Sequence, residues 1–475
     1  MVERAGYLPG LAADTLHWRA ETCGAVEVLL PMLAGEQVAA IARHVRDQAQ
    51  ARLRSRPVGQ IVDAIDRAIA RLLDRQDPYR QRMDDLLPRV TGYNREMVLL
   101  GLTGYLKTFR KPELQRFLAE DFANPAILDD FQPLAKGGFG RAFGPRVLAH
   151  IWAGNVPGLP LWSLVAGLLV KAGNIGKAPS AEPLFAGWFA QVLAEVEPDL
   201  AECLAVVWWR GGDVAPEAAL IQQADLVLGY GSNESLGAIQ SRMPVAKRFL
   251  AYGHKVSFAM VSAAALDAAK ASATARLAAY DVARYDQQGC YAPHMLFAER
   301  GGAVPPQRFA QFLAHELAAF ERKFPRRPLT MAEASGIAAW RHAEEMTPGG
   351  EVFGDPDGAW TVSYQPEDSA FRPSGLNRTI RVVAVDCLAD VPGIVAPFKA
   401  LLQTVGIAAP PRDLFRLAAA LGHVGVTRVA ALGDMTAPEA GWHHDGRFNL
   451  LDLVEITEID GRAEAAADRL ASYVD

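Results

Sequence analysis

The chain has 475 residues, half of them hydrophobic and about a fifth charged, enough for two or three domains with sizeable cores. Its formal net charge is −6 and its lysines and arginines are scattered, which excludes the basic stripe that nucleic-acid binding requires. Its four cysteines, Cys23, Cys203, Cys290 and Cys387, lie far apart with no CxxC pair; this argues against a zinc site and a disulfide framework, and for a reducing compartment.

Residues 1–135 read as a helical N-terminal region. From Gln37 to Asp74 apolar and charged residues alternate at helical spacing, as in VGQIVDAIDRAIARLLDR, and Arg95 to Lys107 repeats the pattern. No apolar export signal opens the chain, so a cytoplasmic location is expected. Lys136-Gly137-Gly138-Phe139-Gly140 marks a boundary.

Beyond it, short apolar runs alternate with helices. Arg146 to Ala153, Asn174 to Ala178, Leu204 to Trp208 and Leu226 to Gly229 read as strands. The helices between them run on to Lys171, from Phe185 to Glu195 and from Val214 to Gln223. The stretch Ile151 to Val170 is too broken by Asn155, Pro157 and Pro160 for a membrane span. Such alternation predicts a parallel sheet with crossover helices over 136–253, with ligands bound at the carboxyl ends of its strands. A second unit over 254–435 has strands at KVSFAMV, Pro293 to Ala298, Thr379 to Asp386 and Val424 to Leu432. Its helices are Ala263 to Tyr280 and Gln307 to Phe324, and Thr347 to Gly358 reads as a surface loop. Residues 436–475 are expected to pack back on the core. The fold class is therefore α/β, with two parallel-sheet domains behind a helical N-terminal region.

Chemistry concentrates in a few turns. Cys290 sits in Asp286-Gln287-Gln288-Gly289-Cys290-Tyr291-Ala292-Pro293-His294, where a polar context suits a nucleophile, although a free cysteine can equally be inert core. Asn155, in the Gly154-Asn155-Val156-Pro157 turn, has an amide that could serve an oxyanion or simply fix its own turn. Lys177 ends the second strand, within reach of a ribose or phosphate or of solvent. Gly231-Ser232 opens a helix as a phosphate-cradling turn would. His254 is either an acid/base or a structural histidine. In Trp442-His443-His444-Asp445-Gly446-Arg447 the adjacent histidines project apart without further ligand spacing, so this is a loop with a site-lining role and no metal centre is expected. Neither GxGxxG nor a P-loop is present.

Taken in order, GNVPGLPLWSL, KAPSAEPLF, YGSNESL, GHKVSF and DQQGCYAPH resemble the aldehyde dehydrogenase superfamily and, within it, the LuxC-type acyl-CoA reductases. The resemblance runs from about Arg89 to Val454. It implies an aldehyde-dehydrogenase-like fold, a nicotinamide cofactor-binding domain at 136–253 and a catalytic domain at 254–435. It also implies that Cys290 is the nucleophile, Asn155 the oxyanion-stabilising amide and His254 the acid/base. Lys177 matches the ribose-contacting lysine, and Gly231 with Ser232 the pyrophosphate turn. Two departures follow. Ala251 replaces the Glu that hydrolytic relatives use to activate water, which favours acyl thioester reduction. Ser180 replaces a Glu that bonds the ribose hydroxyls in NAD-preferring relatives, which favours NADPH. The implied partners are acyl-CoA or an acyl-carrier thioester, with a homo-oligomeric state and an acyl-supplying partner enzyme. The rival readings are a cofactor-independent cysteine acyltransferase or thioesterase, and a non-catalytic protein on a decayed dehydrogenase scaffold.

Overall fold

The computed structural model describes residues 2–471. Its first sheet has five parallel strands, Val147–Ile151, Gly173–Lys177, Leu204–Val207, Leu226–Tyr230 and Arg248–Tyr252. By first residue their order is 248–226–147–173–204. Val147–Ile151, Gly173–Lys177 and Leu204–Val207 are buried almost throughout because both faces of the sheet are covered. Helices Gly35–Arg52 and Val214–Gln223 pack on one face, through Val38, Ile41 and Val45 against Ala149, Ile175 and Ala205. Pro160–Leu169 and Phe185–Val196 cover the other, backed by Val58–Leu73. The order reverses between Val147–Ile151 and Leu226–Tyr230, and that switch point opens the crevice where such sheets bind ligands.

The N-terminal region corrects one expectation. Helices begin at Gly35, whereas residues 3–32 form a three-stranded sheet of Glu3–Arg4, His17–Cys23 and Val26–Met32. VEVLLPM shows strand periodicity, its first residues alternating between buried and exposed. Gly24 turns the hairpin at φ +58, and a Cβ there would lie 2.3 Å from the Arg89 carbonyl oxygen. The helices that follow supply layers of the first sheet and share its core.

The second sheet has seven strands, ordered by first residue 351–361–379–293–256–402–428. All pairs are parallel except Glu351–Gly354 with Thr361–Gln365. Helices Ala271–Ala283 and Pro306–Lys323 cover one face, with Ala271, Ala275, Ala278 and Ala279 buried in that core; Pro411–His423 lies on the other. The first of these helices starts later than expected. The Asp267 carboxylate accepts the N–H groups of Ala269 and Lys270, holding a turn where a helix would otherwise continue. The expected 347–358 loop contains the edge strand Glu351–Gly354. C-terminally, Glu455–Ile459 pairs antiparallel with Phe139–Phe143. Among the described residues no helix is long and apolar enough to cross a membrane.

Candidate active site

The cysteine loop is held by two strained segments that lock each other. After helix Ala271–Ala283 the backbone passes through three left-handed residues, Tyr285, Asp286 and Gln287, at φ 47, 50 and 67. Leu376, Asn377 and Arg378 form a second such run at φ 57, 51 and 69. Non-glycine residues rarely adopt this region, and they persist in it only when surrounding contacts over-determine it. Here the Asn377 N–H donates to the Asp286 carbonyl at 3.1 Å, and Arg378 Nε donates to Asp286 Oδ1 at 2.9 Å. Gln287 Nε2 donates to the carbonyls of Pro293 and Thr379 at 2.6 and 2.8 Å, while its Oε1 accepts the Thr379 N–H. Arg378 is fully buried, and its other nitrogens donate to Glu321 and the Phe324 carbonyl.

Cys290 follows on this rigid platform. Ser257 Oγ donates to its carbonyl at 2.7 Å and accepts the Thr404 N–H, tying the loop to two strands of the second sheet. Burial pushes the Cys290 thiol up to about 11. A hydrogen bond from the Gln403 side chain and the nearby backbone N–H groups draw it down, while Asp445 pushes it up. Gln403 Nε2 also donates to Asp445 Oδ1 at 2.6 Å. Across the crevice, Asn155 Nδ2 donates to the Gln288 carbonyl at 2.8 Å, two residues before the cysteine. The Tyr93 hydroxyl fixes the Asn155 carbonyl at 2.7 Å. The fold therefore brings Asn155 of the first sheet to the Cys290 loop of the second. Cys23 and Cys203 are buried in the core.

Two cavities flank this junction. The first, about 470 Å³, is lined by Cys290, Tyr291, Tyr105, Trp162, Tyr230 and His444, with Glu113, Arg116 and Glu439 also on its wall. Its size and apolar character suit a small-molecule or acyl ligand. Burial pushes the phenols of Tyr105, Tyr230, Tyr285 and Tyr291 upward, so they stay neutral. The second, about 420 Å³, is lined by Asn233, Ala251, Gly253, His254, Asp445 and Arg447. His254 is exposed there, its backbone N–H bonded to Asn233 Oδ1; it does not line the cavity that holds Cys290.

The residues expected to face a cofactor cluster at the carboxyl ends of the first sheet. Lys177 is 9% exposed, and its ammonium makes no hydrogen bond or ion pair among the described residues; burial pushes its pKa down, against a pull from Glu217. A buried cation without a partner at a strand end fits an anionic or hydroxyl-bearing ligand such as a dinucleotide. Ser180 is exposed beyond it. The nearest carboxylate along the chain, Glu182, turns inward to accept the N–H groups of Leu184 and Phe185 at 2.9 Å. Ser232 caps helix Asn233–Gln240 by accepting the Ser235 N–H, beside Gly231, whose N–H donates to the Tyr252 carbonyl.

Sequence reasoning missed Gln403, Tyr93 and the Asp286–Arg378 pair, and it left the roles of His444 and Asp445 open. A lone Gln within the apolar run Leu402–Ala408 was the available signal for the first. His444 lines the Cys290 cavity whereas its neighbour Asp445, left-handed at φ 55, lines the second.

Residues 53–456 match the family model described as acyl-CoA reductase (LuxC). The long-chain acyl-protein thioester reductase 2 of Photobacterium leiognathi is 24% identical over 388 residues, covering 80% of this chain and 78% of that protein. The long-chain acyl-protein thioester reductase of Aliivibrio fischeri is 25% identical, covering 76% of this chain and 74% of that protein. Among solved structures, aldehyde dehydrogenase 21 from Physcomitrella patens superposes with a TM-score of 0.73 at 15% identity, covering 97% of this chain and 98% of that one. The expected aldehyde-dehydrogenase-like fold is thus observed. The chain belongs to the acyl-CoA reductase (LuxC) family.

Proposed function

We propose that this enzyme reduces a long-chain acyl thioester to the aldehyde with NADPH, through a thioester on Cys290. The observation that carries the reading is the hydrogen bond from Asn155 to the loop of Cys290, which lines a largely apolar cavity. Ala251, at the position that the resemblance gives to a hydrolytic carboxylate, lines the second cavity. The Cys290 sulfur attacks the acyl carbonyl, the carbon–sulfur bond forms and the donor thiol leaves. An amide carries two hydrogens, and one of those on Asn155 is used on Gln288. The other, with the Cys290 backbone N–H, serves the oxyanion. Lys177, Ser180, Gly231 and Ser232 would hold the dinucleotide, and the absence of a carboxylate at Ser180 leaves room for a 2′-phosphate. When bound, NADPH supplies the hydride that converts the thioester carbonyl to the aldehyde level. Collapse of the thiohemiacetal then releases product from Cys290. His254, exposed in the second cavity, exchanges protons with solvent on the hydride side.

The donor is acyl-CoA or a carrier-bound thioester supplied by a partner enzyme. The exposed outer edge of Glu455–Ile459 supports a homo-oligomer. Stopped-flow oxidation of NADPH, with aldehyde quantified in parallel, tests the reading across CoA and carrier donors. One aldehyde per NADPH is expected. Release of free acid or acyl transfer with no NADPH consumed would instead mark a cofactor-independent thioesterase or transferase.

A further inference from the structure

The Cys290 thiol needs a proton acceptor. Burial holds Cys290 protonated at neutral pH, yet the thiolate is the nucleophile. A proton acceptor must therefore reach the acyl cavity. The tyrosines on its wall are held neutral and Arg116 and Arg284 are cationic, while Glu439 is exposed and Glu113 half-buried. His444 remains. Its side chain is 14% exposed, and its ring lies flat on Tyr252 at 4.6 Å and 11°, with Trp442 on it at 4.9 Å. Tyr230 extends the stack beyond Tyr252. This clamp fixes the imidazole plane in the cavity that holds Cys290.

Resting on the acyl-enzyme reading above, we propose that His444 accepts the Cys290 proton during acylation, and that Asp445 and Gln403 position the pair. Asp445 Oδ1 lies 3.9 Å from His444 Nε2 and also receives Gln403 Nε2, and the Gln403 side chain draws the thiol's pKa down. One carboxylate thus steadies the imidazolium while its amide partner steadies the thiolate. The groups facing His444 are Tyr230 and Tyr252 of the first sheet, Trp442 and Asp445 of its own segment, and Lys255. Burial and Lys255 push its pKa down against Asp445, which leaves a neutral ring able to take a proton. In the step itself the S–H bond breaks and the proton passes to the imidazole. The sulfur pair forms the bond to the acyl carbon, and the departing thiolate takes the proton back. In the reductive half the C–S bond breaks with its pair returning to Cys290, which regains a proton from solvent.

Acylation of the full chain by acyl-CoA, followed by intact mass and thiol release, is the test. His444→Gln should slow adduct formation about 10²–10⁴-fold near pH 7. The deficit should shrink as pH rises and Cys290 ionises unaided, and free imidazole should partly rescue His444→Ala. His443→Gln, whose ring packs edge-on against Phe448, should acylate at the wild-type rate. An unchanged rate in His444→Gln, or a loss equal at every pH and beyond imidazole rescue, overturns the role of His444. A wild-type protein that never acylates would instead overturn the acyl-enzyme reading itself.

Discussion

On the proposed acyl-enzyme route, the lack of a carboxylate at Ala251 spares the Cys290 adduct from hydrolysis. The residue is exposed in the second cavity with His254 and Asp445. Ala251→Glu should place a base there that activates water, and general-base assistance is worth about 10²–10⁴-fold in good geometry, less in an unoptimised site. The expected signature is faster loss of the adduct as free acid and less aldehyde per thioester consumed, measured by product partitioning. An adduct lifetime unchanged in a folded variant would count against the position. The proposed cofactor preference rests on Ser180. Ser180→Glu should weaken NADPH more than NADH, because like charges about 4 Å apart repel by a few kcal/mol at intermediate dielectric. Paired titrations of the two cofactors read this directly, and an unchanged ratio would place Ser180 away from the ribose.

Elements carry the next level of control. Between the 285–287 and 376–378 runs that hold the cysteine loop, Arg378 pairs with Asp286, and both groups are buried. Arg378→Met takes the guanidinium from that carboxylate and leaves it the Arg327 N–H, so thermal unfolding should show a loss of about 3–5 kcal/mol. Asp286→Asn with Arg378→Met should recover part of it, and no recovery would mean that packing rather than charge holds the loop. Glu182 makes the turn after Lys177 pH-dependent. Burial raises its carboxyl to about 7, against the pull of two backbone N–H groups. A native value above the unfolded one means that the folded chain binds the extra proton. This stabilisation is complete below the unfolded value and is lost as pH rises through about 7, by roughly 2–4 kcal/mol. Glu182→Gln should flatten the slope of stability between about pH 4.5 and 7 in denaturant titrations.

Across the whole molecule, the sequence made the first sheet legible because its strands are short apolar runs punctuated by glycine turns. Leu204–Val207 and Leu226–Tyr230 are examples. Arg248–Tyr252, an edge strand with intermediate and exposed positions, carries no such run. The N-terminal hairpin was hidden beside strongly periodic helices. At the site, Cys290 and Asn155 stood out by their turns, but their approach is a property of the crevice between sheets. Gln403 and Asp445 meet only because Leu402–Ala408 and the 442–447 loop converge on that crevice. Chain order says nothing of such meetings.

The proposed reaction passes through one covalent species, the Cys290 thioester. Intact-mass analysis of the full chain mixed with acyl-CoA, without NADPH, should show one acyl group added and located on the peptide containing Cys290. Adding NADPH should discharge it as aldehyde, and Cys290→Ser should show neither adduct nor aldehyde while still binding the cofactor. NADPH-dependent aldehyde formation by Cys290→Ser at the wild-type rate would contradict the account.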